Sequence, residues 1–282
     1  MNETIELDRY FERIGYPGPR TPTRNVLHAL TAAHSQAIPF ENIDVLLGRP
    51  IRLEPQALQQ KMVAERRGGY CFEQNGLLLA VLTQLGFAAR ALAARVRLGQ
   101  PDRRIATQRT HMLIEVLLDG QPWITDVGVG AASLTAALRL HDGPEQTTPH
   151  DRRRLQRQGE RWYHQMRRGP DWVDVVEFTL EDAPAIDRTV ANWYTSTHPD
   201  SVFRHGPRVA LAQPGGVRLT LTADHVTRRE ADGTEQRQPI DGGDALIGVL
   251  QRVFGIVLPP GTRLAPGHGG WMASDGSAGP HA

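Results

Sequence analysis

The chain contains a single cysteine, Cys71, which follows the pair Gly68-Gly69 and precedes the apolar segment 77–82. A thiolate attacks an acyl carbon well and also leaves it well, so a cysteine with a lowered pKa is suited to taking an acyl group from a thioester. The glycine pair predicts a tight turn into a helix, where free N–H groups and the helix dipole would stabilise a thiolate and an oxyanion. A lone cysteine is also a common core residue, so the local sequence leaves catalysis and packing equally open.

A thiolate nucleophile also needs a histidine to accept its proton, and His111 is the candidate among eleven histidines. It begins a predicted strand, which the turn signal Asp119-Gly120 separates from a second strand that leads to Asp126. With a two-residue turn, Leu113 faces Asp126 and His111 lies one diagonal step away on the same face, where a carboxylate can orient an imidazole. A three-residue turn would put Asp126 on the opposite face. Taken without Cys71, His111 is better explained as an ordinary hydrogen-bonded strand histidine, and Asp126 can be interpreted as a turn residue at the end of a strand.

Composition excludes several classes of protein. The 282 residues are 40% hydrophobic, and 32 Lys+Arg against 31 Asp+Glu leave a formal net charge of +1. This indicates a folded protein and argues against nucleic acid as a partner. One cysteine allows neither an internal disulfide nor a cysteine-rich zinc site, and we expect no metal. The longest apolar run is much shorter than the roughly 18 residues of a membrane span, so we predict a cytoplasmic protein with no membrane partner. A homo-oligomer is left open.

The residues that must position this chemistry fall into a helical part and a strand-rich part. Apolar residues at three- and four-residue spacing predict helices at 8–14, at 23–34 and after Pro55. The segment after Cys71 is apolar almost all round as far as Gly86, which predicts a buried helix with the cysteine near its N-terminal end.

From about residue 88 the period changes to that of strands. Short runs rich in β-branched and aromatic residues favour an antiparallel barrel or curled sheet, and they lie at 91–98, 111–118, 123–127, 162–167 and 172–180. Beyond residue 191, two further strands accompany one clear helix, and these are 217–222, 225–229 and 244–254. The last stretch, 265–282, is rich in glycine and has no apolar period, which predicts a flexible tail.

Several sequence blocks stand in an order and at a spacing typical of one family. They are Arg-Ile-Gly at 13–15, Ile-Pro-Phe-Glu-Asn-Ile at 38–43, Arg-Gly-Gly-Tyr-Cys-Phe-Glu-Gln-Asn at 67–75, Ala-Arg-Val at 94–96, Thr-His-Met at 110–112, Asp-Val-Gly at 126–128 and Asn-Trp-Tyr-Thr-Ser-Thr-His-Pro at 192–199. In these blocks the chain resembles the arylamine N-acetyltransferase family, from Tyr10 to about Phe254.

The resemblance implies an α+β fold with a papain-like cysteine-enzyme core. Its expected parts are an N-terminal helical bundle carrying Cys71, a central antiparallel β-barrel carrying His111 and Asp126, and a C-terminal α/β lid. The corresponding domains are 1–87, 88–190 and 191–264, followed by the tail at 265–282.

The resemblance also implies a ping-pong reaction. An acetyl group would pass from acetyl-CoA to the Cys71 sulfur and then to an arylamine, arylhydrazine or arylhydroxylamine, with the thiolate and imidazolium forming an ion pair in the free enzyme. The expected partners are therefore a small aromatic amine or hydrazine and a CoA thioester.

The family pattern further assigns Phe40 and Phe203 to the aromatic-substrate pocket. It places Gly128 and Gly130 at the border of the cleft shared by the amine and the pantetheine of CoA. Val129 stands between them where family members often have a phenylalanine, so we expect an altered substrate pocket there.

Other interpretations use the same three side chains. A macrolactam-forming amide synthase joins a polyketide acyl chain to its own arylamine, and a cysteine hydrolase completes the acyl-enzyme with water. A binding module that had kept the fold would have a displaced or buried cysteine, and the intact triad argues against it. Basic runs such as Arg66-Arg67 and 152–154 are interpreted as solvated surface, and no phosphate-binding motif selects a residue for the phosphates of CoA.

Overall fold

The computed structural model describes residues 4–267 and 270–273. Its α-helices are α1 (Leu7–Ile14), α2 (Arg24–Ala37), α3 (Ile43–Leu46), α4 (Pro55–Gln59), α5 (Cys71–Gln84), α6 (Ala185–Thr197) and α7 (Gly242–Phe254). Within the described ranges, every helix is too short or too polar to cross a lipid bilayer. The cytoplasmic location stays a prediction.

The N-terminal helices α1, α2 and α5 share one apolar core. Helix α2 begins at the predicted cap, where the Thr23 hydroxyl accepts a hydrogen bond from the Val26 N–H at 3.3 Å. Helix α5 is buried as predicted, because its apolar residues Leu77, Leu78 and Val81 are all fully covered. After α4 the chain continues in a π-helical turn over residues 60–64. Cys71 is therefore carried by a helix that is packed on nearly all sides.

The central part is an eight-stranded antiparallel sheet in the order β4-β3-β2-β1-β8-β7-β6-β5. Its strands are β1 (Ala88–Val96), β2 (His111–Leu118), β3 (Gln121–Thr125), β4 (Leu138–Arg139), β5 (Gln146–Thr147), β6 (Arg152–Gln158), β7 (Arg161–Arg168) and β8 (Asp171–Asp182). The two edge strands meet through the Gln146 side chain, which donates to the Arg139 carbonyl oxygen at 2.9 Å and accepts from the Arg139 N–H at 2.8 Å. The sheet thus curls into a nearly closed barrel, as predicted.

The hairpin of β2 and β3 has the predicted two-residue turn. Asp119 and Gly120 both have positive φ, 50° and 72°, as a tight hairpin turn requires. Leu118 pairs with Gln121, so the register is even. Asp126, just beyond β3, therefore lies on the same face as His111.

The C-terminal part contains a second antiparallel sheet in the order β12-β11-β10-β9. Its strands are β9 (Val209–Gln213), β10 (Val217–Leu221), β11 (His225–Arg229) and β12 (Glu235–Pro239). Helix α7 and the short α3 pack against this sheet in a separate apolar core. The predicted strands at 217–222 and 225–229 and the predicted helix at 244–254 are confirmed as β10, β11 and α7, whereas β9 and β12 were not predicted.

Helix α6 lies where we predict no helix, and the predicted domain boundary after residue 190 falls inside it. Its apolar side chains Val190 and Trp193 are exposed, while the polar side chains of Asn192 and Thr195 are buried. The apolar residues of α6 therefore do not mark its inner face, and the usual periodicity signal is missing.

Strand β6 corrects the interpretation of residues 152–154 as solvated surface at Arg153, whereas Arg152 is exposed as expected. Arg153 is fully buried, and its guanidinium donates to the Asp151 carboxylate at 2.8 Å. Arg218 of β10 binds the same carboxylate. A buried arginine is tolerated here because an acidic partner is buried with it.

Part of the predicted flexible tail forms strands. Residues Leu264–Gly267 (β13) pair antiparallel with Gly270–Ala273 (β14). Residues 268, 269 and 274–282 of the predicted tail lie outside the described residues.

The turn between β2 and β3 gives a first testable prediction. Replacing Gly120 with alanine should lower the free energy of unfolding by about 1 to 2 kcal/mol, because a Cβ is unfavourable at positive φ. Urea denaturation measures the change. Asp119→Asn is the control, since asparagine tolerates positive φ and should be nearly neutral. Equal effects of the two variants would contradict the assigned turn.

Candidate active site

The turn before α5 is built on close backbone packing. A Cβ on Gly68 would lie 1.9 Å from the Pro39 carbonyl oxygen, so only glycine fits there. Tyr70 is extended and begins the helix, and its N–H donates to the Glu73 carboxylate at 3.0 Å. Cys71 is thus held in the first turn of α5, as its sequence predicted.

A chain of buried charges lies beneath this turn. Glu73 accepts from the Lys61 ammonium at 2.7 Å, and the same ammonium lies 2.7 Å from Asp44. Asp44 in turn contacts Arg67, which donates to Glu41 at 2.8 Å. Arg67 is therefore buried and paired, and its interpretation as a solvated charge is wrong. Its fixed position ties the glycine turn to the segment that carries Phe40.

His111 and Asp126 form a buried pair. His111 is 2% exposed and Asp126 is fully buried, and His111 Nε2 lies 2.7 Å from Asp126 Oδ2. The other carboxylate oxygen, Oδ1, accepts from Asn75 Nδ2 at 2.9 Å and from the Gly128 N–H at 3.0 Å. With Nε2 bound to Asp126, the Nδ1 nitrogen of His111 is left to exchange a proton with a reacting group.

The electrostatics of the pair favour a protonated imidazole. Burial by itself lowers the pKa of His111, but the Asp126 carboxylate and the Cys71 sulfur raise it to about 10. Burial also disfavours the charged form of Asp126, yet His111, Asn75 and Gly128 lower the pKa of this carboxyl below its ordinary value. At neutral pH the pair is therefore an imidazolium and a carboxylate.

Cys71 lies beside this pair. Its Sγ is 3.6 Å from the carbonyl oxygen of Thr110, the residue before His111. A Cβ on Gly128 would lie 2.7 Å from the Cys71 Cα, so the loop after β3 packs directly on the first turn of α5. Cys71 is only 3% exposed, the burial that a binding module would show. It is not displaced, however, because the sulfur stays next to His111.

The predicted substrate residues divide into two groups. Phe40 and Phe203 have ring centroids 6.1 Å apart and belong to the same buried cluster as Cys71. Gly130, at φ 64°, would bring a Cβ 3.6 Å from the Phe40 ring, so this end of the loop reaches the cluster. Val129 instead packs into the barrel core.

A cleft of about 430 Å³ leads to His111. Phe72 and Met112 line it together with residues of α6 and the loop before β2. Helix α6 contributes Ala191 and Tyr194, which the sequence did not point to as site residues. Within the described ranges, no group of three or more His, Cys, Asp or Glu side chains could hold a metal ion.

Comparison with known proteins agrees with this geometry. A family model described as N-acetyltransferase matches residues 23–263. The arylamine N-acetyltransferase of Escherichia coli is 39% identical over 250 residues, which cover 89% of this chain and 88% of that protein. The chain belongs to the arylamine N-acetyltransferase family.

Solved structures of the family have the same fold. The enzyme from Salmonella typhimurium superimposes with a TM-score of 0.85 at 38% identity, covering 89% of this chain and 92% of that one. The Mycobacterium marinum arylamine N-acetyltransferase in complex with CoA gives a TM-score of 0.84 at 36% identity, covering 89% and 93%. The chain is therefore an acyltransferase of this family.

Asn75 is the member of this N-acetyltransferase site that sequence reasoning missed. Besides binding Asp126, it donates to the Met112 carbonyl oxygen at 2.7 Å and accepts from the Val127 N–H at 3.0 Å. It thereby ties α5 to β2 and to the end of β3. Its position four residues after Cys71, on the same helix face, is the sequence signal that could have identified it.

The pKa of His111 can be tested by NMR. In the wild type the imidazole should stay protonated at neutral pH and lose its proton as the pH rises through about 10. In Asp126→Asn the midpoint should fall, because the burial that lowers the pKa remains while the carboxylate that raises it is lost. His34, whose pKa burial lowers to about 4, is an internal reference that stays neutral. An unchanged midpoint would show that Asp126 does not control His111.

Asn75→Ala should lower kcat by up to about a hundredfold, because small displacements of reacting groups are costly. The control is Gln84→Ala at the far end of α5. The Gln84 amide makes two comparable bonds to the Ile5 backbone, at 2.9 and 3.0 Å. Thermal unfolding should show a larger loss of stability for the buried Asn75 than for the exposed Gln84. Steady-state kinetics, at a temperature where both variants are folded, should show a loss of turnover only for Asn75→Ala. Equal turnover of both variants would remove Asn75 from the site.

Proposed function

We propose that this protein is an acetyl-CoA-dependent arylamine N-acetyltransferase that works through a thioester on Cys71. The observation that carries the proposal is the convergence of Cys71, His111 and Asp126 beside one cleft. The Escherichia coli relative is an arylamine N-acetyltransferase and the Mycobacterium marinum enzyme binds CoA, and both facts support the choice of substrates.

In the first half-reaction the Cys71 sulfur attacks the carbonyl carbon of acetyl-CoA. The thiol proton is held by His111 Nδ1 during the attack, and Asp126 stabilises the resulting imidazolium. The bond between the acetyl carbon and the CoA sulfur then breaks, and CoA leaves as a thiol with the proton that His111 returns. The products are acetyl-Cys71 and CoA.

In the second half-reaction the nitrogen of an aromatic amine attacks the acetyl-Cys71 carbon. His111 accepts a proton from this nitrogen, the carbon–sulfur bond of the thioester breaks, and the acetylated amine leaves. Cys71 and His111 return to their starting state with one proton between them. In both steps the free N–H groups of the first turn of α5 can bind the negative oxygen of the tetrahedral intermediate.

The substrate contacts extend the proposal to the surrounding residues. Phe40 and Phe203 would hold the aromatic ring, since they share a cluster with Cys71. Gly128 and Gly130 would border the path of the pantetheine, because their loop lies on the first turn of α5. Val129 would act through the shape of this loop, since its side chain packs into the barrel.

Intact-protein mass spectrometry tests the proposal. Brief exposure of the wild type to acetyl-CoA without an amine should add one acetyl group, and addition of an aromatic amine should remove it as acetylated amine appears. Cys71→Ala should form no adduct while keeping its fold, as judged by circular dichroism.

Two outcomes would contradict the proposed transfer. An adduct that decays equally fast with and without an amine would identify a hydrolase. No adduct from acetyl-CoA would mean that another acyl donor is used, as in the amide synthases.

A further inference from the structure

The cleft that leads to His111 contains a charged group for which the acetyl transfer has no use. Among its lining residues are two arginines, Arg109 and Arg188, and a single carboxylate, Asp187. Arg109 is paired, because its guanidinium donates to the Glu181 carboxylate at 2.7 Å. Among the described residues, Arg188 is therefore the lining arginine that has no ion-pair partner.

Arg188 is half-buried, and none of the described acidic residues forms an ion pair with it. Its Nε atom is buried, and no described residue offers it a hydrogen-bond acceptor. Burial lowers the pKa of Arg188, and no carboxylate offsets this effect. Asp187 is its neighbour in sequence, but adjacent residues of a helix do not face one another. A cation in this position is costly unless an anion joins it.

The surroundings of Arg188 suit an aromatic ring that carries a negative group. Phe72, Met112, Ala183 and Val190 supply apolar wall to the same cleft. A guanidinium binds a carboxylate or phosphate through two parallel hydrogen bonds, which sets the direction of the ligand as well as its affinity. Pockets of this kind combine an apolar lining with one or two polar groups that orient the ligand.

We propose that Arg188 is a specificity-determining residue that binds an anionic oxygen group of a substrate, foremost a carboxylate on the ring of the acceptor amine. This inference rests on the proposed function, because it concerns the acceptor of that reaction. A phosphate of the acyl donor has the same chemistry, so the experiment must separate the two substrates.

Ping-pong kinetics of Arg188→Gln make this separation, since KM is obtained for each substrate. The acceptors are 4-aminobenzoate and its uncharged analogue 4-aminobenzamide. Loss of the arginine should lower kcat/KM for 4-aminobenzoate by about tenfold or more. The values for 4-aminobenzamide and for acetyl-CoA should hardly change. Arg188→Lys should recover part of the loss, because it keeps the charge but not the paired donors.

The donor alternative has a different signature. If kcat/KM for acetyl-CoA falls while kcat/KM for both amines is unchanged, the anion is a phosphate of the donor, and the assignment of the acceptor carboxylate is overturned. If neither KM responds, Arg188 binds no substrate anion and the proposal fails. Arg252→Gln removes the same charge from an exposed position on α7 and controls for the net charge of the protein.

A measurement on the wild type does not depend on the variants or on turnover. Calorimetry should detect binding of benzoate, an unreactive anion, and weaker binding of benzamide to the unacetylated protein. Equal affinity would overturn the anion site. Absence of the acetyl adduct on Cys71 would instead overturn the proposed function, so the two failures are distinguishable.

Discussion

The buried ion pair between His111 and Asp126 constrains the whole catalytic region. Water is excluded from both side chains, so each charge has to be balanced by the other and by hydrogen bonds from fixed donors. Those donors are the Asn75 amide on α5 and the Gly128 N–H in the loop after β3. A helix of the N-terminal part and two strands of the barrel must therefore meet within hydrogen-bond distance. Movement of any one of them would leave a buried charge without a partner.

The same requirement explains the structure around the first turn of α5. Gly68 lies so close to Pro39 that no side chain fits there. The Glu73 carboxylate accepts a hydrogen bond from the Tyr70 N–H at the start of α5. The buried charges that follow, through Lys61 to Asp44, hold Glu73 in place. Buried polar networks of this kind add little net stability, but when they are fully paired they hold one geometry. In this protein that geometry is the approach of the Cys71 sulfur to His111.

The chemistry and the choice of substrate are supported by different parts of the fold. The triad lies where the helical part and the barrel meet, and both are densely packed. Helix α6 forms one wall of the cleft beside the triad. This helix buries polar residues and leaves several apolar residues exposed. Because different elements form the wall and the reaction centre, a substitution in α6 can change the cleft without moving the three side chains.

Several helices and the β2–β3 hairpin depend on residues that are close together in the chain. These elements can therefore be predicted from the sequence. The apolar periodicity predicted α1, α2 and α5, and the turn signal Asp119-Gly120 fixed the hairpin register that aligns His111 with Asp126. Turn chemistry and periodicity act over a few residues, so they need no knowledge of the rest of the chain. The family resemblance was equally visible, since its blocks include all three proposed catalytic positions.

Tertiary structure alone decided what depends on partners distant in the chain. In the sequence, Arg67 and Arg153 resemble ordinary surface charges. In the structure, Arg67 is buried with Glu41, and Arg153 is buried with Asp151. Helix α6 was not predicted because its inner face is polar. Its Asn192 accepts a hydrogen bond from the hydroxyl of Tyr70, which lies 122 residues earlier in the chain. The roles proposed for Asn75 and Arg188 likewise depend on neighbours that belong to other elements. Sequence records which side chains are available, whereas the burial that makes a charge costly or useful arises only when separate segments pack together.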